Sequence, residues 1–178
     1  MDIHNRHWIV ARNELLKGKL LEIGSYVVQG QEEIALRPGI QQYVDSYTGI
    51  DMRAGPGVDI VTTEDNAFPF PDNEFDVVVS LDTLEHVRNP FTFIESASRV
   101  LKPGGYFFLA TVFAFPIHGY PEDYFRFTPY CLKMLIEDYG HLELFADLTP
   151  SMSVTNNPNA PHHLANPSIV RLIARKPL

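Results

Sequence analysis

Asp82, Glu85 and His86 stand just after the apolar run FDVVVSL, Phe75–Leu81. His118, Asp123 and Arg126 crowd into FPIHGYPEDYFRFTPY, Phe115–Tyr130. Histidine titrates near neutrality without help from its surroundings, so either group could take a proton from a reacting atom. His118 and Asp123 are the candidates for a base. Arg126 could hold an anionic partner, with Tyr120 and Tyr124 as further contacts to it. The same side chains could instead pack as a plain loop in which Arg126 bridges Glu122 and Asp123, and His86 could simply be hydrogen-bonded against a sheet.

Two more carboxylates occupy positions where acids are costly or useful. Glu22 lies inside the apolar stretch LLEIGSYVVQG, Leu20–Gly30. An unpaired carboxylate there is expensive to bury, so it should meet a cation: a basic side chain, or the ammonium of an amino-acid ligand. Asp51 ends YTGID, 27 residues after Gly24 (51 − 24). An acid so placed can accept both hydroxyls of an adenosine ribose, or it can bond its own turn. Glu64, Asp65 and Asn66 offer acceptors suited to an adenine amino group, and Phe68 and Phe70 an apolar wall.

These residues need a sheet to hold them. Leu20–Ile23, Tyr47–Asp51, Val58–Val61, Phe75–Leu81 and Tyr106–Val112 read as strands, the last two as continuous apolar runs buried on both faces. Asn89 and Pro90 open a helix carried by Phe91, Ile94, Ala97 and Leu101, and KPGG, Lys102–Gly105, turns the chain back. Thr128-Pro129 opens another, with Leu132, Leu135 and Ile136 inward and Gly140 as its stop. The stretch 31–46 contains Pro38-Gly39 and predicts a short or broken helix. LELFADL and SIVRLIARK are the final strands, joined by a Pro- and Asn-rich loop, 149–167. The alternation predicts a doubly wound α/β sheet with its ligand at the carboxyl ends of the strands.

No repeat or linker divides the chain, so residues 1–178 are expected to form one domain, with 1–18 as a helical lead-in and 113–130 as a lid or acceptor segment. A net charge of −8 argues against a general nucleic-acid or membrane-surface binder. The single cysteine, Cys131, excludes an internal disulfide and a CxxC zinc site. His162-His163 lacks an accompanying carboxylate cluster, so no metal ligands are expected. No apolar run approaches the roughly 18 residues of a membrane span, and the N-terminus lacks a signal-peptide core. The expected address is cytoplasmic, as a monomer or homodimer.

LLEIGS, YTGID, FPFPDNEFDVVVSLDTLEHV and RVLKPGGYFFLA, in this order and spacing, resemble the class I S-adenosylmethionine-dependent methyltransferases, type 11 above all. The resemblance covers about Leu20 to Val112. It implies a single-domain Rossmann-like sheet of seven strands, order 3-2-1-4-5-7-6, with the last antiparallel. It also implies S-adenosyl-L-methionine as cofactor and S-adenosyl-L-homocysteine as product. Carried over by position, Glu22, Gly24, Ser25, Tyr26 and Gly30 match the first loop, Asp51 and Met52 the ribose side, and Glu64, Asp65 and Asn66 the adenine side. Leu81, Asp82 and His86 match the turn near the methyl group. Tyr26 stands where the usual GxGxG has its middle glycine, and EIGSYVVQG is similar to a longer loop closed by Gly30. PIHGYPEDYFRFTP resembles segments of the same set that cover an acceptor, a small molecule or an exposed group. A nicotinamide oxidoreductase would need the absent GxGxxG; a methyltransferase-like module that binds without turnover is the other alternative.

Overall fold

A computed structural model describes residues 3–63, 68–118, 122–152 and 167–178. Seven strands form one sheet in the order 3-2-1-4-5-7-6. They are β1 (Lys19–Ile23), β2 (Ser46–Asp51), β3 (Ile60–Val61), β4 (Phe75–Leu81), β5 (Leu101–Val112), β6 (Glu143–Met152) and β7 (Pro167–Arg175). The pairs β1/β2, β1/β4, β2/β3 and β4/β5 are parallel, and β7 inserts antiparallel between β5 and β6. Order and last-strand direction are those that the family resemblance implies.

The central strands read as solid apolar runs because each face of the sheet carries its own core. Side chains alternate along a strand, so neighbours part company. Leu21, Val78 and Phe107 join the layer with Phe93, Ile94 and Ile136, whereas Leu20, Val77, Val79 and Phe108 join the layer with Trp8 and Ile9. Trp8 and Ile9 come from helix α1 (Ile3–Val10). Phe93 and Ile94 come from helix α3 (Pro90–Val100), where the Asn89 side chain accepts the Thr92 N–H as an N-cap. Between β1 and β2 the chain makes only a one-turn helix α2 (Arg37–Ile40) flanked by 3-10 turns, the broken helix that Pro38-Gly39 predicts. Helix α4 (Pro129–Met134), capped by Thr128, widens into a π turn over Leu135–Tyr139 before Gly140.

Four sequence expectations need correction. Phe91 does not face the core: it is 40% exposed, and Phe93 fills the place instead. KPGG is not a turn between elements but a bulge within β5. The register passes from Phe75↔Leu101 to Val77↔Tyr106, so Lys102–Gly105 loops out, and Lys102 Nζ pairs with Asp76 at 2.7 Å. The third strand is two residues long, because the Asp59 carboxylate accepts the Gly49 N–H at 2.7 Å and pairs with Arg37. The joining loop begins later than residue 149, since β6 runs to Met152; His162-His163 lies outside the described residues.

Candidate active site

The carboxyl ends of β1, β2 and β4 open on a cleft of about 1120 Å³, at the upper end of small-molecule sites. Its floor is the first loop. Gly24 has φ +83°, and a Cβ there would stand 2.1 Å from Thr83 Oγ1, so this glycine is required by the neighbouring turn. The N–H groups of Gly24 and Ser25 both donate to Ile50 O, at 2.9 and 3.0 Å. Tyr26 N–H donates to Asp51 Oδ2 at 3.1 Å, and Val27 N–H to Pro56 O at 2.9 Å. Four consecutive amides are thereby bonded within the protein, so the loop presents no nest of N–H groups for a pyrophosphate. Tyr26 does not plug the cleft. Its ring lies under the Arg53 guanidinium, 4.1 Å from the centroid, where a side chain at Gly55 would collide with it. Gly30, grouped with the binding loop by sequence, sits exposed at its outer end, where φ +83° suits the turn, and does not line the cleft.

Asp51 lines the cleft beside that loop and accepts the N–H groups of Tyr26 and, at 3.0 Å through Oδ1, Arg53. It closes its own turn, as one reading expected, and still faces the space. Met52 lines the same wall, 49% exposed. Phe68 and Phe93 form the apolar side, edge to face at 5.5 Å, whereas Phe70 turns away to pack on Phe75. Glu64, Asp65, Asn66 and Tyr120 lie outside the described residues.

Glu22 is buried at the cleft with a phenol for partner rather than a basic side chain: Tyr47 Oη donates to Oε2 at 2.5 Å. Burial pushes its carboxyl up to about 7, against the opposing pull of Tyr47 and Arg37. A carboxyl held above its unfolded value stabilises the native state at low pH and loses that contribution as pH rises through the folded value. Thermal stability should therefore fall between about pH 5 and 7.5, by on the order of 3 kcal/mol if the whole shift is expressed. In Glu22→Gln this component should vanish, as melting curves across that range will show. Equal pH slopes in both proteins would contradict the assignment. Nearby, Ser25 Oγ is buried in the cleft wall without a hydrogen-bond partner.

At the end of β4, Leu81 and Asp82 line the cleft, and Asp82 adopts φ +49°. Its carboxylate accepts two bonds from buried Asn5 on α1, at 3.0 and 2.9 Å, and Asn5 in turn accepts from Arg171 Nε at 2.6 Å. Asn5 carried no sequence signal, because a lone polar residue on a short helix reads as surface.

The next turn carries Glu85 and His86. Glu85 is fully buried; Oε2 accepts from Thr111 Oγ1 at 2.8 Å, and Oε1 has no hydrogen-bond partner. Burial and the Asp82 charge push this carboxyl up to about 7. The Glu85 carbonyl accepts the N–H groups of Tyr124 and Phe125, at 2.8 and 3.2 Å. These bonds tie the aromatic segment down and bring His118 to 5.2 Å from His86, ring to ring. Sequence reasoning placed Glu85 at the ligand edge without a role; its partners come from β5 and the segment beyond, which spacing does not reveal.

Asp123 and Arg126 leave the roles first considered for them. Arg126 grips both Asp123 oxygens, at 2.5 and 2.6 Å, and donates to the carbonyls of Phe115, Pro116 and Phe125. This bonding holds the Asp123 carboxyl well below the usual carboxylate range, so it cannot serve as a base near neutrality. Neither residue lines the cleft. Asp123 Oδ2 accepts the His118 N–H at 2.8 Å and lies 3.1 Å from its Nδ1: the pair orients His118. His118, His86 and Tyr124 do line the cleft; Tyr124 Oη donates to Glu122, which also pairs with Arg88 at 3.1 Å.

Residues 33–109 match the family model described as methyltransferase domain. The putative methyltransferase of Bacillus halodurans superposes with a TM-score of 0.68 at 18% identity, over 99% of both chains. Residues 33–109 are thus similar to a methyltransferase domain, and the fold of the whole chain is one that methyltransferases have. The chain is also 35% identical, over 121 residues, to a ubiquinone biosynthesis O-methyltransferase of Pseudomonas syringae pv. tomato. That match takes in 60% of this chain and 49% of the other, so the chain spans about half the length of the curated relatives it matches. A further likeness in fold is 1,6-didemethyltoxoflavin-N1-methyltransferase of Burkholderia thailandensis, solved with its substrate and S-adenosylhomocysteine. It has a TM-score of 0.69 and 15% identity over 99% of this chain and 78% of that one.

Proposed function

We propose that this methyltransferase domain moves a methyl group from S-adenosylmethionine to a hydroxyl oxygen of a small molecule or exposed group. The observation that carries the reading is the order of groups across the cleft. Following the sheet from β2 through β1 to β4 and β5, it meets Asp51, Glu22, then Asp82 with His86, and finally His118. The residues fit the cofactor. Asp51 suits ribose hydroxyls, buried Glu22 with its single phenol partner suits an ammonium, and the partnerless Ser25 Oγ suits a further polar group. The loop whose amides from Gly24 to Val27 are all bonded suits a nucleoside without a pyrophosphate. The likeness to ubiquinone biosynthesis O-methyltransferases favours oxygen over nitrogen as acceptor.

S-adenosylmethionine supplies an electrophilic methyl on sulfonium: the acceptor oxygen gains the C–O bond, the C–S electron pair stays on sulfur, and the hydroxyl proton is released. The protein has to align acceptor and methyl, exclude water and help that proton leave. Residues 122–130, tied to the Glu85 carbonyl through Tyr124 and Phe125, suit an acceptor side, and His118 and Glu85, 3.9 Å apart, are the groups proposed to activate the hydroxyl. Among the described residues no helix is long and apolar enough to cross a membrane. With the net charge of −8, this fits work on an aqueous acceptor, for which we propose a cytoplasmic setting.

The test is transfer of labelled methyl from S-adenosylmethionine to a panel of catechols, phenols, carboxylates and amines. Methyl ethers formed from hydroxyl acceptors are the expected products. Labelling of amines alone would overturn the oxygen assignment. Tight cofactor binding with no transfer to any acceptor would favour a binding module.

A further inference from the structure

We propose that Glu85, His86 and His118 form a binding site for one divalent transition-metal ion, of the class that accepts imidazole nitrogen together with carboxylate oxygen. The argument begins with tautomers. His86 Nδ1 lies 2.7 Å from the Glu122 carbonyl oxygen, which only accepts, so Nδ1 carries the proton. His118 Nδ1 lies 3.1 Å from Asp123 Oδ2 and 3.2 Å from the Pro116 carbonyl oxygen, again acceptors. In both neutral rings the lone pair is therefore on Nε2. Both Nε2 atoms point at one atom, Glu85 Oε1, and each stands 3.9 Å from it. The three ligand atoms lie within 4.8 Å of one another.

Glu85 Oε1 is completely buried and has no hydrogen-bond partner, although Oε2 is satisfied by Thr111. With Glu85 ionised, three electron pairs thus converge on a small space with no donor among them. A cation resolves that arrangement. The outer shell is of the kind that ligating histidines have, each Nδ1–H donated to a carbonyl or carboxylate that fixes the ring and raises the basicity of Nε2. Arg126 extends that shell by clamping Asp123 at 2.5 Å. In an occupied tetrahedral site with bonds of about 2.1 Å, donors stand about 3.4 Å apart, so the two nitrogen–oxygen pairs at 3.9 Å need a closure of about half an ångström and the two nitrogens, within 4.8 Å of each other, one of at most about 1.4 Å. Two imidazoles and one carboxylate suit Zn²⁺ or Co²⁺ and not Mg²⁺ or Ca²⁺, which take oxygen ligands. With three protein ligands, a position remains open toward the cleft that His86 and His118 line.

The use of the ion rests on the methyl-transfer reading above; its binding does not. On the open side an acceptor hydroxyl would give up its proton to water more readily, with only the O–H bond broken. His118 Nε2 then acts as a ligand, and the hydroxyl is activated by the ion rather than by direct transfer to the ring.

The test is titration of the chelator-stripped full chain with Co²⁺, followed by visible absorption and calorimetry, with S-adenosylhomocysteine titrated into the same samples. One equivalent of Co²⁺ should bind at micromolar concentration or below, with ligand-field bands displaced by Zn²⁺. Glu85→Gln should weaken this at least a hundredfold, and His118→Ala, a change outside the core, should do so as well if Glu85→Gln fails to fold. No Co²⁺ binding, or equal binding by wild type and both variants, would overturn the site. Absence of Co²⁺ binding by the wild-type chain, with S-adenosylhomocysteine still bound, refutes the ion alone. Co²⁺ bound without the nucleoside refutes the cofactor assignment and leaves the ion standing.

Discussion

Replacing His118 with alanine is expected to lower turnover by about a hundred- to a thousandfold while changing S-adenosylhomocysteine affinity less than threefold. The ring is held for one purpose. Its backbone N–H and its Nδ1 both address Asp123, whose carboxylate is 1% exposed and locked by Arg126, so that Nε2 is delivered beside Glu85 at the cleft. Removing the ring takes away the group proposed to activate the acceptor, by direct proton transfer or as an ion's ligand, and leaves the first loop and Asp51 intact. Single-turnover methyl transfer and calorimetry separate the effects. Unchanged turnover would move activation to another residue. Lost nucleoside affinity would make His118 part of a structural cover.

Asp51→Ala should weaken S-adenosylhomocysteine binding by about ten- to a hundredfold, read by calorimetry. Two effects combine. A charged acceptor proposed for the ribose hydroxyls disappears, at a cost of roughly 1.5–3 kcal/mol for a charge-assisted bond. The N–H groups of Tyr26 and Arg53 also lose their common acceptor, which loosens the stack of Arg53 on Tyr26 that shapes the floor of the cleft. Asp51 sits at the end of β2 and is not part of the core, so the far-ultraviolet spectrum should not change. Undiminished affinity would remove Asp51 from the ribose.

The sheet was legible because buried strands announce themselves. FDVVVSL is a strand over the predicted residues, and Asn89-Pro90 opens its helix at the predicted place. Elements set by side-chain competition were harder. Val58 and Asp59 read as strand, but the Asp59 carboxylate takes the Gly49 amide and ends the ladder early. KPGG has turn composition, yet a bulge absorbs it without breaking β5. In the cleft, Glu22 and Asp51 could be found because an acid in or after an apolar strand is conspicuous. Glu85 could not be given a role, because its meaning depends on Thr111 and His118, both distant in sequence. Arg126 looked like a substrate contact and Asp123 like a base for the converse reason: their mutual pairing, three residues apart, is one of several equally spaced options until the loop is folded.

The central claim is that the cleft holds S-adenosylmethionine and not a dinucleotide. Calorimetric titration of the purified chain with S-adenosylhomocysteine, and separately with NADH, tests it most directly. Micromolar binding of S-adenosylhomocysteine with no heat from NADH is the predicted result. Binding of NADH, or of neither nucleotide, would contradict it.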